Sequence, residues 1–349
     1  MSNLNEPKYI YSYQKDNTIV TNSYFNKFWK SDLIKSDIDF NFDLEKNMLS
    51  LFDYIPINTK DIDVIVYSLI NTPIKLKTTT VDYFPDLLRR ASHKFPLFPR
   101  IDDKGNSGIY DFQEGKYLLE KFKFVDVGNI SINSSDGLNQ LYLVIKDIFE
   151  RKLKFLTIGG DHATTFYNLN SINQITSKKP ILIQFDAHQD VGKHELNNKD
   201  IHQGNFISHL LENDIVTHVI QVGIRGIRSR NQVAISEKIT VINNNEWEAF
   251  DKSFINRLTD LYNTYDVYIS IDIDVLDPLE FCFVDFPIRG GLNTNQLLTK
   301  VKQIFKSKSN IMGLDIVEVN GDGNIDNNDY DLIIYILIYL MNEFKKRSD

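Results

Sequence analysis

The 349-residue sequence predicts an α/β fold, a doubly wound and mainly parallel sheet with helices on both faces. Two observations carry that expectation. Its short β-rich runs are mostly apolar throughout rather than alternating, as in strands covered on both sides. Between them lie segments whose apolar residues recur at helical spacing, and strand alternating with helix builds a parallel sheet. In chain order the runs are "DVIVYSLI" (63–70), "KFLTIGG" (154–160), "PILIQFDAH" (180–188) and "HVIQVGIR" (218–225). They continue with "KITVI" (238–242), "DVYISIDIDVLDP" (266–278) and "NIMGLDIVEV" (310–319). The segment "SSDGLNQLYLVIKDIFERK" sets Leu138, Leu141, Ile145, Ile148 and Phe149 on one helical face, with Ser134 or Ser135 as its cap. "NTNQLLTKVKQIFKSK" repeats the pattern with Leu297, Val301, Ile304 and Phe305. Residues 1–60 differ. They are rich in Asn, Asp, Lys and aromatics with weak periodicity, and read as an appended segment packed on the core formed by residues 61–349.

Composition narrows the class of partner. A net charge of -8 with no basic block offers nucleic acid no docking surface. The opening "MSNLNEPKYIYSYQ" lacks the basic and apolar regions of a secretory signal. The single cysteine, Cys282, excludes an internal disulfide framework and agrees with a reducing compartment. The longest apolar run, "LIIYILIYLM" (332–341), is too short to span a bilayer and reads as core, or in part as a subunit interface. The expected location is cytoplasmic, with no membrane partner.

Four of the predicted strands run into acids and imidazoles. "FLTIGG" leads to Asp161 and His162, and "ILIQF" to Asp186, His188 and Asp190. "VYISI" leads to Asp272, Asp274 and Asp277, and "IMGLDIV" to Glu318. Ligands of an open α/β sheet bind outside the carboxyl ends of its strands, so these groups are expected to converge. Each buried ion costs several kcal/mol unless an opposite charge compensates it, so the cluster calls for a cation. His162, Asp186, His188, Asp190, Asp272 and Asp274 offer two nitrogens and four carboxylates. That set is too rich in carboxylate for a structural zinc and suits a pair of divalent ions, with Mn²⁺ the natural candidate. In "DAHQD" and "DID" the acids and histidine alternate, which puts them on one side of an extended chain. "DGNIDNND" (322–329) has the acids of a calcium loop without its central glycine or closing glutamate, and reads as a solvated loop.

The motifs "GGDH" (159–162), "DAHQD" (186–190), "SIDIDVLDP" (270–278) and "DIVEVN" (315–320), in that order, resemble the signatures of the ureohydrolases. That family includes arginase, agmatinase and related guanidino-group hydrolases. "QVGIRG" (221–226), "GGL" (290–292), "DLLRRAS" (86–92) and "FKFVDVGNI" (122–130) also look like agmatinase counterparts, so the resemblance covers roughly residues 60–345. It implies an arginase-like three-layer fold and two Mn²⁺ per chain. His162, Asp186, Asp190 and Asp272 would hold one ion, and Asp186, His188, Asp272 and Asp274 the other. The resemblance further implies attack of an activated water on a guanidinium carbon, releasing urea and an amine. Asp190 would orient that water, Glu318 would pair with the guanidinium, and His202 in "DIHQGNF" would protonate the leaving amine. His194 and His209 are rivals for that last role, because Gln203 interrupts the agmatinase pattern H-G-x-x-F. A homo-oligomer is implied in the same way.

Two departures bear on the substrate. Gly192 stands where arginases carry an asparagine that holds the free amino acid's α-carboxylate. In "FCFVDFPIRGG" the bulky Phe283, Asp285 and Phe286 replace a glycine-threonine run that borders the pocket. A small guanidino compound without a zwitterionic end, agmatine first, or an arginine inside a peptide is therefore expected to outrank free L-arginine. A formimino-group hydrolase of the same superfamily is the nearest rival chemistry. A two-metal phosphoesterase would be expected to carry a G-N-H-[DE] segment, which is absent from the sequence, and a non-catalytic binding protein would be expected to lose ligands.

Overall fold

A computed structural model of the protein describes residues 51–53, 62–70, 80–95, 108–192, 201–227, 236–242, 266–307 and 310–345. The rest of the expected N-terminal segment, and His194, lie outside the described residues. The strands are β1 (Val64–Ile70), β2 (Ile109–Asp111), β3 (Lys116–Leu118), β4 (Phe124–Ser131), β5 (Lys154–Ile158) and β6 (Ile181–Phe185). They continue with β7 (His218–Val222), β8 (Ile239–Ile242), β9 (Asp266–Asp272) and β10 (Asn310–Val317). The helices are α1 (Phe84–Ser92), α2 (Ser135–Glu150), α3 (Ala163–Ile175), α4 (Phe206–Glu212), α5 (Thr294–Lys306) and α6 (Asp331–Lys345).

Eight strands form one sheet in the order β4-β1-β5-β10-β9-β6-β7-β8, every neighbouring pair parallel. β2 and β3 make a separate antiparallel hairpin. The main strands are apolar throughout because both faces are covered, as their sequence runs imply. One core joins the sheet to Phe84 and Leu88 of α1, Leu297 and Val301 of α5, and α6. The opposite core joins it to Leu141 and Ile145 of α2, Leu169 and Ile172 of α3, and Phe206 and Leu210 of α4. The architecture is α/β, with helices flanking a parallel sheet on both sides. Among the described residues no helix is long and apolar enough to cross a membrane.

The helix boundaries follow local chemistry. Ser134 caps α2, its hydroxyl accepting from the Gly137 amide, and Asn293 with Gln296 forms a capping box on α5. One residue expected on the buried face of α2 is misplaced: Leu138 is 40% exposed. Helix α6 buries Ile333, Ile334 and Ile336 through Phe344 within this chain, so its apolar run is core.

Strand β4 is absent from the sequence expectation, because Asp126, Gly128 and Asn129 interrupt its apolar pattern. Burial of those polar groups is made possible by one arginine. Arg89 is 1% exposed and grips Asp126 with two 2.8 Å hydrogen bonds, from Nε and Nη2. It also donates to Asn129 Oδ1 (2.6 Å) and Ser68 Oγ (3.0 Å). Asp126 accepts the Leu51 amide as well, and Ser92 accepts the Phe52 amide, so the fully buried Leu51 and Phe52 are stitched to the sheet edge and α1. Removing the cation would leave the buried Asp126 carboxylate without Arg89's charge, held by backbone amides such as those of Leu51 and Gly128. Arg89→Met is expected to destabilise the protein by about 3–5 kcal/mol, read as a fall in the denaturant midpoint.

Candidate metal centre

Sheet order brings the polar strand ends together. β5, β10, β9 and β6 are consecutive neighbours, and their carboxyl ends lead respectively to His162, Glu318, Asp272 with Asp274, and Asp186 with His188 and Asp190. Two groups result, His162–Asp186–Asp272 and Asp186–His188–Asp274, each with ligand atoms within 4.8 Å of one another. Asp186 belongs to both. His162 Nδ1 lies 3.1 Å from Asp186, 3.0 Å from Asp190 and 3.2 Å from Asp272. His188 Nδ1 lies 2.7 Å from Asp274 and 3.5 Å from Asp186. All six sequence-predicted ligands therefore meet in one place.

The local backbone differs from the expected extended chain. β6 ends at Phe185, and Asp190 has a left-handed φ of 52°. Asp272 closes β9 and caps a 3-10 turn over Ile273–Val275, its Oδ1 accepting the Asp274 amide at 2.8 Å. Turns, not alternation along a strand, thus aim these side chains. Asp186 is held by the His188 amide on Oδ1 and by Gln184 Nε2 on Oδ2, both at 2.5 Å. Asp274 accepts the Ala187 amide at 2.9 Å. Asp277 stays outside the cluster, binding the amides of Leu279, Gly290 and Gly291.

Crowding perturbs every member. Burial and the neighbouring Asp186 push the Asp190 carboxyl up to about 7, against the pull of both histidines. Burial also raises Asp272 and Asp274, reinforced by their acidic neighbours. Asp186 moves the other way, because His162 and His188 more than offset its burial. Burial disfavours a charged His188, yet Asp186 and Asp274 push it up to about 11. The cluster attracts positive charge strongly.

The donor set fits a metal ion. His162 Nδ1 is buried and makes no hydrogen bond, although three carboxylate oxygens surround it. Its other nitrogen is engaged: Nε2 lies 2.9 Å from Ser270 Oγ, which lies 2.8 Å from Thr165 Oγ1. Thr165 gives its hydrogen to Asp315 (2.9 Å), so it accepts from Ser270, and Ser270 accepts from His162. That directionality puts a proton on Nε2 and leaves Nδ1, among the carboxylates, as the nitrogen that would meet a metal ion. Without one, burial is outweighed by Asp186, Asp190 and Asp272, which hold the ring's pKa well above its usual value. Asp315 is anchored in turn by Tyr268 (2.7 Å). Phe206 packs on the His162 ring with centroids 4.4 Å apart. Ser270, Thr165 and Asp315 were not singled out from sequence, though two of them lie inside the quoted motifs.

The remaining predicted residues scatter around this centre. Glu318 is buried, has a φ of 62°, and accepts the His162 amide at 2.7 Å. Burial, then Asp272 and Asp161, push its carboxyl well above the usual range. His202 accepts the Gly204 amide on Nδ1 (3.1 Å), and Gly204 accepts the Gly192 amide (2.8 Å), tying that loop to the Asp190 segment. His209 is buried on α4 against Phe166, ring centroids 6.0 Å apart. Asp285 accepts from Asn320 Nδ2 at 2.8 Å, two residues beyond Glu318. Phe286 is 58% exposed and meets the His188 ring edge-on at 6.3 Å. Phe283, expected at the rim, instead packs inward on Phe281 and Tyr330.

Ser270→Ala removes the acceptor that orients His162 while leaving the candidate ligands in place. Titration of metal-stripped protein with Mn²⁺ is expected to show affinity lower by about 10–100-fold. An unchanged affinity would mean that the relay does not orient the ring.

Residues 78–341 match the family model described as "Arginase family". An agmatinase from Blochmanniella floridana is 30% identical over 207 residues, covering 58% of this chain and 65% of the relative. An arginase from Glycine max is 29% identical over 225 residues, covering 60% of this chain and 61% of the relative. Both alignments span less than two-thirds of the relative's own length. Among solved structures, formimidoylglutamase from Bacillus subtilis subsp. subtilis str. 168 matches with a TM-score of 0.68 at 21% identity, covering 92% of this chain and 98% of that one. At that identity the likeness is one of fold. The family match spans well over half of the chain and contains every clustered acid and histidine; the chain belongs to the arginase family.

Proposed function

We propose that the protein is a binuclear manganese hydrolase that cleaves a guanidino group to urea and an amine, with agmatine-like compounds preferred over free L-arginine. One observation carries the reading: two ligand groups share Asp186, and the Glu318 carboxylate stands beside them. Charge supports it. Two divalent ions match the four aspartates, and a guanidinium matches Glu318, so the loaded centre is close to neutral.

His162, Asp186, Asp190 and Asp272 would hold one ion, and Asp186, His188, Asp272 and Asp274 the other. When bound, such a pair supplies a water acidic enough to act as nucleophile near neutral pH. Asp190 orients that water toward the guanidinium carbon and accepts its proton. Glu318 fixes the substrate, because the planar fork of a guanidinium fits a carboxylate edge. As the carbon–nitrogen bond breaks, the departing amine takes a proton from His202. Delivering it requires the His202 ring as imidazolium, in which Nδ1 no longer accepts the Gly204 amide that it accepts in this structure. Guanidinium and water yield urea and a protonated amine: the proton taken by Asp190 and the one released as the C–O–H becomes the urea carbonyl restore His202 and complete the ammonium.

Selectivity follows from the loops. A Cβ at Gly192 would meet the Gly204 carbonyl at 2.6 Å, so this backbone has no room for an arginase-like asparagine. The donor for an α-carboxylate is missing, and a site without that partner gains nothing from a free amino acid. Asp285, held by Asn320 two residues beyond Glu318, would add repulsion toward a substrate carboxylate. The exposed Phe286 supports a second reading, arginine within a peptide, whose flanking residues would lie on the ring.

Purified protein is expected to hold about two divalent ions per chain, and activity to vanish on chelation and return with Mn²⁺. Asp272→Asn should lower both metal content and turnover, and full activity without metal would refute the reading. Glu318→Gln is expected to keep its metal and lose kcat/KM steeply, because a buried charged partner is removed. Loss of metal in that variant would move Glu318 into the ligand set.

Substrate choice is decided by kcat/KM for agmatine, 4-guanidinobutyrate, free arginine and an arginine-containing peptide. Agmatine or the peptide should lead, and first place for free L-arginine would sink the selectivity argument. Formamide from a formimino substrate, in place of urea, would identify the rival chemistry.

A further inference from the structure

Arg225 follows β7, in the run "QVGIRG", and among the described residues its guanidinium makes hydrogen bonds to backbone carbonyls alone. Nε donates to Ile288 (3.0 Å), and Nη1 to Gly223 (3.3 Å) and Val275 (3.2 Å). Nη2 donates to Asp274 (2.6 Å), Leu276 (3.0 Å) and Ile288 (2.7 Å). The backbone amide of Arg225 donates to Ala187 (3.1 Å). One side chain therefore ties the turn after β9 to the rim segment ending at Ile288, and its own backbone is tied to the loop after β6.

The three successive carbonyls of Asp274, Val275 and Leu276 face Arg225, while the Asp274 carboxylate points the other way. Its Oδ1 takes the Ala187 amide, and its Oδ2 lies 2.7 Å from His188 Nδ1. Rotation of that turn by a fraction of an ångström would carry Asp274 off its partners. A guanidinium has five N–H donors in a rigid plane, which suits a junction of several carbonyls. Lysine keeps the charge but offers three donors on a rotating point.

We propose that Arg225 is a positioning residue for the metal centre, locking the 274–276 turn and the Phe286–Ile288 rim as one unit so that Asp274 meets His188 and Asp186 preorganised. This rests on the metal-centre reading above. Its fixed charge also lies close enough to Asp274 and Asp186 to offset part of the acid cluster.

The test is Mn²⁺ titration of metal-stripped parent, Arg225→Lys, Asp274→Asn and the double variant, with thermal unfolding of each metal-free protein. The parent should take up two ions. In Arg225→Lys one ion should bind within about threefold of the parent, and the other about 10–100-fold more weakly. In the Asp274→Asn background the same change should matter by less than about threefold, since the positioned ligand is already gone. Equal weakening of both ions, or parent-like binding of both, overturns the proposal. If Arg225→Lys does not fold, Arg225→Gln takes its place, and failure of both to fold overturns it by making Arg225 a residue of the fold. A parent that binds no ion would instead refute the metal centre itself.

Discussion

Mutual repulsion among buried carboxylates is the constraint on which the site depends. Asp186, Asp272 and Asp274 are almost wholly buried, and Asp190 and Glu318 stand against them. Each would cost several kcal/mol without a compensating charge. The protein's own answer is partial. His162 and His188 lie against the aspartates, Arg225 stands behind Asp274, and Asp161 binds the Ala163 amide at the start of α3, where the helix dipole favours an anion. The sum still leaves negative charge over, which is the physical ground for expecting cations and a cationic substrate. A fold that tolerates such a cluster has kept a costly feature that packing alone would have removed.

Holding that cluster in place requires stiffness in three directions. Along the sheet, four neighbouring strands set the spacing of their ends. Beneath it, a buried polar chain runs from His162 through Ser270, Thr165 and Asp315 to Tyr268, then through Asn168 to Tyr67. That chain crosses β9, β10 and β1 and gives the imidazole only one hydrogen-bonded orientation. Behind it, Arg225 fastens the loops that no strand reaches. Networks of this kind fix the positions of the groups they join.

Much of this was legible in the sequence, for a physical reason. Buried parallel strands must be apolar for their whole length, so acids at their ends stand out, and the family motifs quoted at 159–162, 186–190, 270–278 and 315–320 contain most of the site. What was illegible depends on long-range pairing. Asp126 looked wrong for a strand because its partner, Arg89, lies 37 residues away. Phe283 and Phe286 looked equivalent, yet one faces Tyr330 and the other His188. Asp190 seemed to continue an alternation, but its backbone turns left-handed. Arg225 carried no signal beyond its motif, because backbone carbonyls leave no trace in sequence.

Gly192 shows how a single absence can have two physical causes that reinforce each other. As chemistry, on the proposed reading, it leaves out a side chain able to bind an α-carboxylate. As packing, it lets the Gly192 amide reach the Gly204 carbonyl at 2.8 Å, a contact that any Cβ would break. The second cause explains why the first is hard to reverse. An asparagine here would push apart the two segments that carry Asp190 and His202, so on the proposed reading recognition of a free amino acid and the present loop geometry compete. On the proposed reading, selectivity is set by the backbone here before any substrate-contacting side chain is chosen.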